Sequence, residues 1–132
     1  MLVGDVDHFK QYNDAFGHPA GDEVLQVIAD IMRESARPVD CVARYGGEEF
    51  VVVMPDTSPA DALELAEHIR ARVAAKKFTG RKMTLSIGVA SFPEDGDNAE
   101  AIISVADEAL YQAKREGRDR AVRARKLKKT GT

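Results

Sequence analysis

Three acidic residues in two short stretches carry most of the chemistry this sequence could do. Asp5 closes the apolar run Leu2-Val-Gly-Asp5. Glu48 and Glu49 directly follow Gly46-Gly47 inside Cys41-Val-Ala-Arg-Tyr-Gly-Gly-Glu-Glu-Phe-Val-Val-Val-Met54. Several carboxylates brought within a few ångströms repel one another and need a counter-charge to stay ionised. A divalent cation is the simplest counter-charge. With no histidine pair or thiolate pair at ligand spacing, hard oxygen donors point to Mg²⁺ or Mn²⁺ rather than zinc. Such a cation, held by one or two carboxylates, completes its shell with water and substrate phosphate. The modest alternatives are a strand-end Asp5 capping the next helix and a Glu48-Glu49 pair forming the solvated rim of a tight turn.

Phosphates are held by cations and by backbone amides. Asp7-His8-Phe9-Lys10 passes from a strand into a helix, where free N–H groups and the helix dipole favour an anion. Lys10 adds a charge there. Lys114 and Arg118, four apart near the end of the last helix, are expected on one face as a second cationic clamp. Taken singly, each is an ordinary surface charge. His8 and His18 have no partner at ligand spacing and are read as non-catalytic.

The elements that must position these groups follow from periodicity and punctuation. Leu2–Asp5 reads as a buried strand and Phe9–Phe16 as a short helix ended by Gly17. Asp22–Arg37 is an amphipathic helix stopped by Pro38, with Val24, Val27, Ile28, Ile31 and Met32 on one stripe. Val42–Tyr45 and Phe50–Met54 form a hairpin whose Gly-Gly turn is expected to reach positive φ. Ser58-Pro59 opens a helix to about Lys76. Thr84–Phe92 alternates as a strand, Asn98–Glu116 is a further amphipathic helix ended by Gly117, and a short strand starts near Val122. The order predicts a two-layer α/β sandwich with a mostly antiparallel sheet on a β-α-β-β-α-β core. In that core the first strand lies antiparallel to the second hairpin strand, which brings Asp5 to Glu48 and Glu49 at one end of the sheet.

Bulk properties narrow the classes. A chain of 132 residues makes one domain with a proper core. One cysteine permits no disulfide framework, so Cys41 is expected as a small buried hydrophobe in a reducing cytoplasm. No apolar run is long enough to span a membrane. Net charge is −3, yet residues 118–129 hold seven Lys/Arg against one Asp, leaving 12 basic against 21 acidic residues elsewhere. That acidic body argues against a nucleic-acid-binding face. The basic segment 123–132 is expected as a solvated tail beyond a domain ending near residue 122.

Seven motifs in one order carry a resemblance: Gly4-Asp-Val-Asp-His-Phe-Lys10, Asn13-Asp14, Gly17-His18, Gly21-Asp22, Arg44-Tyr-Gly-Gly-Glu-Glu-Phe50, Ser86-Ile-Gly88 and Ala106-Asp-Glu-Ala-Leu-Tyr-Gln-Ala-Lys-Arg-Glu-Gly-Arg118. Together they resemble the GGDEF family, the bacterial diguanylate cyclases that make cyclic di-GMP. The resemblance implies Asp5, the Val6 carbonyl and Glu48 as metal ligands, with Glu49 completing the site or helping to deprotonate the attacking hydroxyl. It implies Asn13 and Asp22 as guanine readers. A carboxylate accepts from both N1–H and the exocyclic amine, which adenine cannot supply. Lys10, Lys114 and Arg118, with amides near His8 and Phe9, become the triphosphate grip, and Gly46 and Gly47 let the ligand approach the backbone. The implied reaction joins two GTP into cyclic di-GMP with release of two pyrophosphates. Since one domain holds one GTP, a homodimer is expected. Arg37-Pro-Val-Asp40 is similar to the family's RxxD product-inhibition site, with His68 where the family often carries a partner arginine.

The resemblance also implies a helix and an Asp-x-Leu-Thr-Gly-Leu-x-Asn-Arg segment before the first strand. Only Met1 stands there, so a fragment or a shortened gene product of a longer protein is expected. Besides the enzyme, two readings remain: a module that binds GTP or cyclic di-GMP without turnover, and an unrelated cyclase making a cyclic mononucleotide.

Overall fold

The computed structural model describes residues 1–124, so residues 125–132, most of the expected basic tail, lie outside the described residues. The chain runs β1 (Leu2–Val6), α1 (Phe9–Phe16), α2 (His18–Ser35), β2 (Cys41–Arg44), β3 (Glu49–Val53), α3 (Pro59–Ala75), β4 (Leu85–Val89), α4 (Ala99–Arg115) and β5 (Ala121–Arg123). Its five strands form one sheet in the order β2-β3-β1-β4-β5. β1 lies antiparallel to both β3 and β4, and only β4 and β5 run parallel.

The α/β class and the mostly antiparallel sheet are as expected, but the sheet has a helical layer on each face. Leu85, Ile87 and Val89 pack with Ile28, Ile31, Ala66, Ile69 and Val73 of α2 and α3. Val3, Val51 and Val122 pack with Ile102, Ala106, Leu110 and Ala113 of α4. β4 is therefore buried at all five positions, since both of its faces are covered. Gly88 permits this closeness: a Cβ there would collide with the Ala106 carbonyl and the Leu110 amide of α4.

Local signals set the helix ends. Ser58 Oγ accepts from the Asp61 N–H at 3.1 Å, and Asn98 Oδ1 from the Ala101 N–H at 2.8 Å, the side-chain caps that open α3 and α4. α2 starts four residues before the expected Asp22, because Gly17 at φ 91° makes the corner and Pro19 suits a first helical turn. It also ends earlier, at Ser35, leaving Arg37 and Asp40 in a turn.

Three expectations fail for identifiable reasons. Neither Gly46 nor Gly47 has positive φ. The bend between β2 and β3 is wider than a two-residue turn, closing where the Tyr45 N–H donates to the Glu49 carbonyl at 2.8 Å. Cys41 is exposed, because β2 is an edge strand that buries little. Arg118 is not on α4, which stops at Arg115; Gly117 at φ 122° ends it, and Arg118 takes φ 64° in the following loop.

Candidate functional site

β1 brings the acidic groups together. Asp5 stands opposite Glu49 in the β1–β3 register, and the Val6 N–H donates to the Glu48 carbonyl at 3.3 Å. Asp5 is 6% exposed, while Glu48 and Glu49 are half-buried. Burial raises the Glu48 carboxyl above its usual range, and the negative charges of Asp5 and Glu49 push it the same way against a lowering pull from Lys114. The bend also has free space. A Cβ on Gly47 would meet nothing within 4 Å, and one on Gly46 would approach only Glu49, at 3.2 Å.

Lys114 is not a free phosphate ligand in this arrangement. Its Nζ donates to Asp5 Oδ2 at 2.6 Å, an ion pair between α4 and β1. An ammonium group thus already supplies the counter-charge that a buried carboxylate needs. The oxygen donors fit a hard cation in number and type: one or two carboxylates and a carbonyl, with room at the bend for further ligands. Among the described residues, no three His, Cys, Asp or Glu side chains are grouped tightly enough to cage a metal by themselves.

After β1 the chain turns sharply at His8, whose φ of 57° lies in the left-handed region. That turn starts α1 at Phe9, so the first amides of α1 are free of helical partners beside the acidic cluster. His8 and Lys10 are exposed, whereas Phe9 is anchored in the core. Asp7, which the motif reading passed over, holds this corner. It is 4% exposed and accepts from Thr84 Oγ1 at 2.7 Å, Ser86 Oγ at 2.7 Å and the Asp119 N–H at 3.0 Å. Asp119 also pairs with Arg70 of α3 at 2.9 Å. The loop carrying Arg118 is thereby fixed to β1 and β4, although Arg118 left the helix. Hydroxyls at 84 and 86, two apart on one strand face, were the available signal for Asp7.

Asn13 of α1 and Asp22 of α2 belong to adjoining helices. Asn13 is half-buried against Gly21, and Asp22 is exposed beside a cavity of about 290 Å³ lined also by Leu25, Gln26, Arg44 and Phe50. A larger cavity of about 760 Å³ lies at the other end of β1, among Val53, Met54, Phe92, Ile102 and Ile103. It is lined mainly by apolar groups and contains none of the acidic cluster.

Arg37 and Asp40 are brought together away from the carboxylates. Arg37 Nη2 pairs with Asp40 Oδ1 at 2.8 Å and also donates to the Pro55 carbonyl and Thr57 Oγ1. The Arg37 N–H donates to Asp40 Oδ2 at 2.8 Å. These bonds hold the Asp40 carboxyl below its usual range. His68 is exposed on α3, and among the described residues no hydrogen bond joins it to this pair.

Residues 1–120 match the family model described as diguanylate cyclase, GGDEF domain. The chain belongs to the GGDEF family. It is 50% identical over 127 residues to the response regulator PleD of Caulobacter vibrioides, covering 92% of this chain and 28% of that protein. With diguanylate cyclase DgcP of Pseudomonas aeruginosa it shares 48% identity over 91% of this chain and 18% of the relative. The chain thus spans under a third of these relatives' length. In three dimensions this GGDEF domain is similar to the active GGEEF domain of a diguanylate cyclase from Vibrio cholerae, at TM-score 0.90 and 38% identity, covering 95% of this chain and 81% of that one. It also resembles the GGDEF domain of DgcB from Caulobacter crescentus in complex with c-di-GMP, at TM-score 0.85 and 35% identity over 93% and 75% of the two chains. Among the described residues no helix of this GGDEF domain is long and apolar enough to cross a membrane.

Proposed function

We propose that this chain is the catalytic domain of a diguanylate cyclase, ending near residue 122, that works in the cytoplasm as a homodimer on two GTP. The observation that carries the reading is the β1–β3 register, which sets Asp5 opposite Glu49 with Glu48 bonded alongside through the Val6 amide. Asp5, the Val6 carbonyl and Glu48 would hold Mg²⁺ or Mn²⁺, with Glu49 alongside them. When bound, the ion neutralises phosphate charge and favours the ionised form of the attacking 3′-hydroxyl.

The chain's own residues do the rest. Asn13 and Asp22 hold the guanine, with Asp22 accepting from N1–H and the 2-amino group. Gly46 and Gly47 leave room for the nucleotide beside the carboxylates. The amides at His8 and Phe9, with Lys10 and Arg118, hold the triphosphate. Lys114 moves from Asp5 to phosphate oxygen when the nucleotide arrives, so one cation serves the empty and the filled site in turn. Glu49 acts as the general base that accepts the proton of the 3′-hydroxyl. The facing subunit supplies the second GTP, and the two attacks release two pyrophosphates. Arg37 and Asp40, with His68 in place of a partner arginine, form the site at which cyclic di-GMP inhibits.

The Lys114–Asp5 pair also favours a second reading, a module that binds GTP or cyclic di-GMP without turnover, because it fills the metal ligand with a protein cation. Incubation with GTP and Mg²⁺, followed by mass spectrometry of the products, decides between them. Cyclic di-GMP is expected. Binding without product supports the module, and cyclic GMP overturns both.

A further inference from the structure

Asn13 is the described residue with a buried side-chain polar atom that has no hydrogen-bond partner, its Oδ1. The cause lies in α2. Gly21 packs against the Asn13 carboxamide so closely that a Cβ at position 21 would overlap Oδ1, stand 2.8 Å from Cγ and press on the Phe9 ring at 3.1 Å. The carboxamide is therefore seated by shape rather than by a hydrogen bond. Oδ1 rests on the bare backbone of Gly21, and Nδ2 is left as the other end, with no hydrogen-bond partner among the described residues. Glycine inside a helix costs roughly 1 kcal/mol relative to alanine. At position 21 it stands where alanine would hold the helix better, so the space it leaves is what it contributes.

We propose that Gly21 is a positioning residue for base specificity. By omitting a side chain it locks Asn13 with the carboxamide oxygen turned in and the amide N–H donors turned to the base. Two donors match the O6 acceptor of guanine and oppose the 6-amino donor of adenine. Asp22, the next residue, offers the complementary acceptor to N1–H, so adjacent positions of one helix set both halves of the pattern. The inference rests on the base-reading role proposed above for Asn13 and Asp22.

The test measures binding of GTP and of ATP to the full chain with Mg²⁺, by calorimetry, for Gly21→Ala, Asn13→Ala, the double variant and Asn13→Asp, with a melting curve for each. Gly21→Ala is expected to narrow the GTP-over-ATP preference about ten-fold, the size of one well-made hydrogen bond. Asn13→Ala narrows it similarly, and the double variant no further, because the alanine at 21 then has nothing to displace. Asn13→Asp keeps the shape and exchanges donors for an acceptor, so it narrows or inverts the preference even if Gly21→Ala does not fold. An Asn13→Ala chain with unchanged preference removes the base-reading role itself. A selective loss in Asn13→Ala with none in Gly21→Ala, additive losses in the double variant, or an unaltered preference in Asn13→Asp each overturns the role of Gly21.

Discussion

Removing the Asp7 carboxylate tests the tie between β1, β4 and the Arg118 loop. Asp7→Ala strands three donors: the Thr84 hydroxyl, the Ser86 hydroxyl and the Asp119 amide. Hydrogen bonds to a charged acceptor contribute ~1.5–3 kcal/mol each. Two of these three lie where water can replace the lost acceptor, and the buried carboxylate's own desolvation cost disappears with it. Ser86 is 0% exposed, so its hydroxyl has no such replacement, and an unmet buried donor costs ~1–3 kcal/mol. The net expectation is a loss of about 3 kcal/mol. An unfolding entropy near ~2.1 cal/mol/K per residue, over 132 residues, turns that into a melting temperature lower by roughly 10 °C. Calorimetric or circular-dichroism melting of the metal-free chain reads it directly, and Asp7→Asn should lose about half as much. A drop under ~3 °C for Asp7→Ala would refute the network as a structural tie.

Three further outcomes follow from the acidic cluster and from the Arg37 turn. Glu48→Gln should end cyclic di-GMP formation, measured by product chromatography, and an unimpaired variant removes the metal assignment. The same substitution has a pH signature. The folded chain holds the Glu48 proton more tightly than the unfolded chain, so stability is lost as pH rises from the ordinary glutamate range through the raised one. Glu48→Gln should therefore stabilise the metal-free fold at neutral pH, with the gain fading as pH falls below the ordinary range; a gain that ignores pH contradicts the assigned cause. Arg37→Ala should weaken cyclic di-GMP binding at least about ten-fold in calorimetry, as expected for loss of a charge-assisted pair, while GTP turnover persists. Unchanged product affinity would show that the Arg37–Asp40 turn is only a structural clasp.

The meeting of Asp5 with Glu48 and Glu49 was legible because it needs only strand order and register, which the β-α-β-β-α-β pattern fixes. Helix α3 was legible to within a residue, since Ser58-Pro59 is both cap and first turn. What escaped depends on neighbours that no short window contains. Cys41 looks like any strand cysteine until β2 proves to be the edge of the sheet. Arg118 has helical spacing from Lys114, yet Gly117 ends the helix between them. The Lys114–Asp5 pair joins positions 109 residues apart, and the Arg37 fork closes on Asp40, Pro55 and Thr57 only after the loop before α3 folds back. Asp7 finds its partners Thr84, Ser86 and Asp119 at separations of 77, 79 and 112 residues, beyond the reach of any local motif.

β1 is the middle strand of the sheet, and its partners are Glu49–Val52 on one edge and Leu85–Val89 on the other. During synthesis, the strand that bears Asp5 therefore precedes its first partner by more than forty residues. Its second neighbour, β4, follows later still, after β3 and α3. Such long-range pairing makes for slow folding, and an unpaired apolar strand is open to other chains meanwhile. The segment that anchors the acidic cluster is thus the one most in need of shelter while the protein is being made.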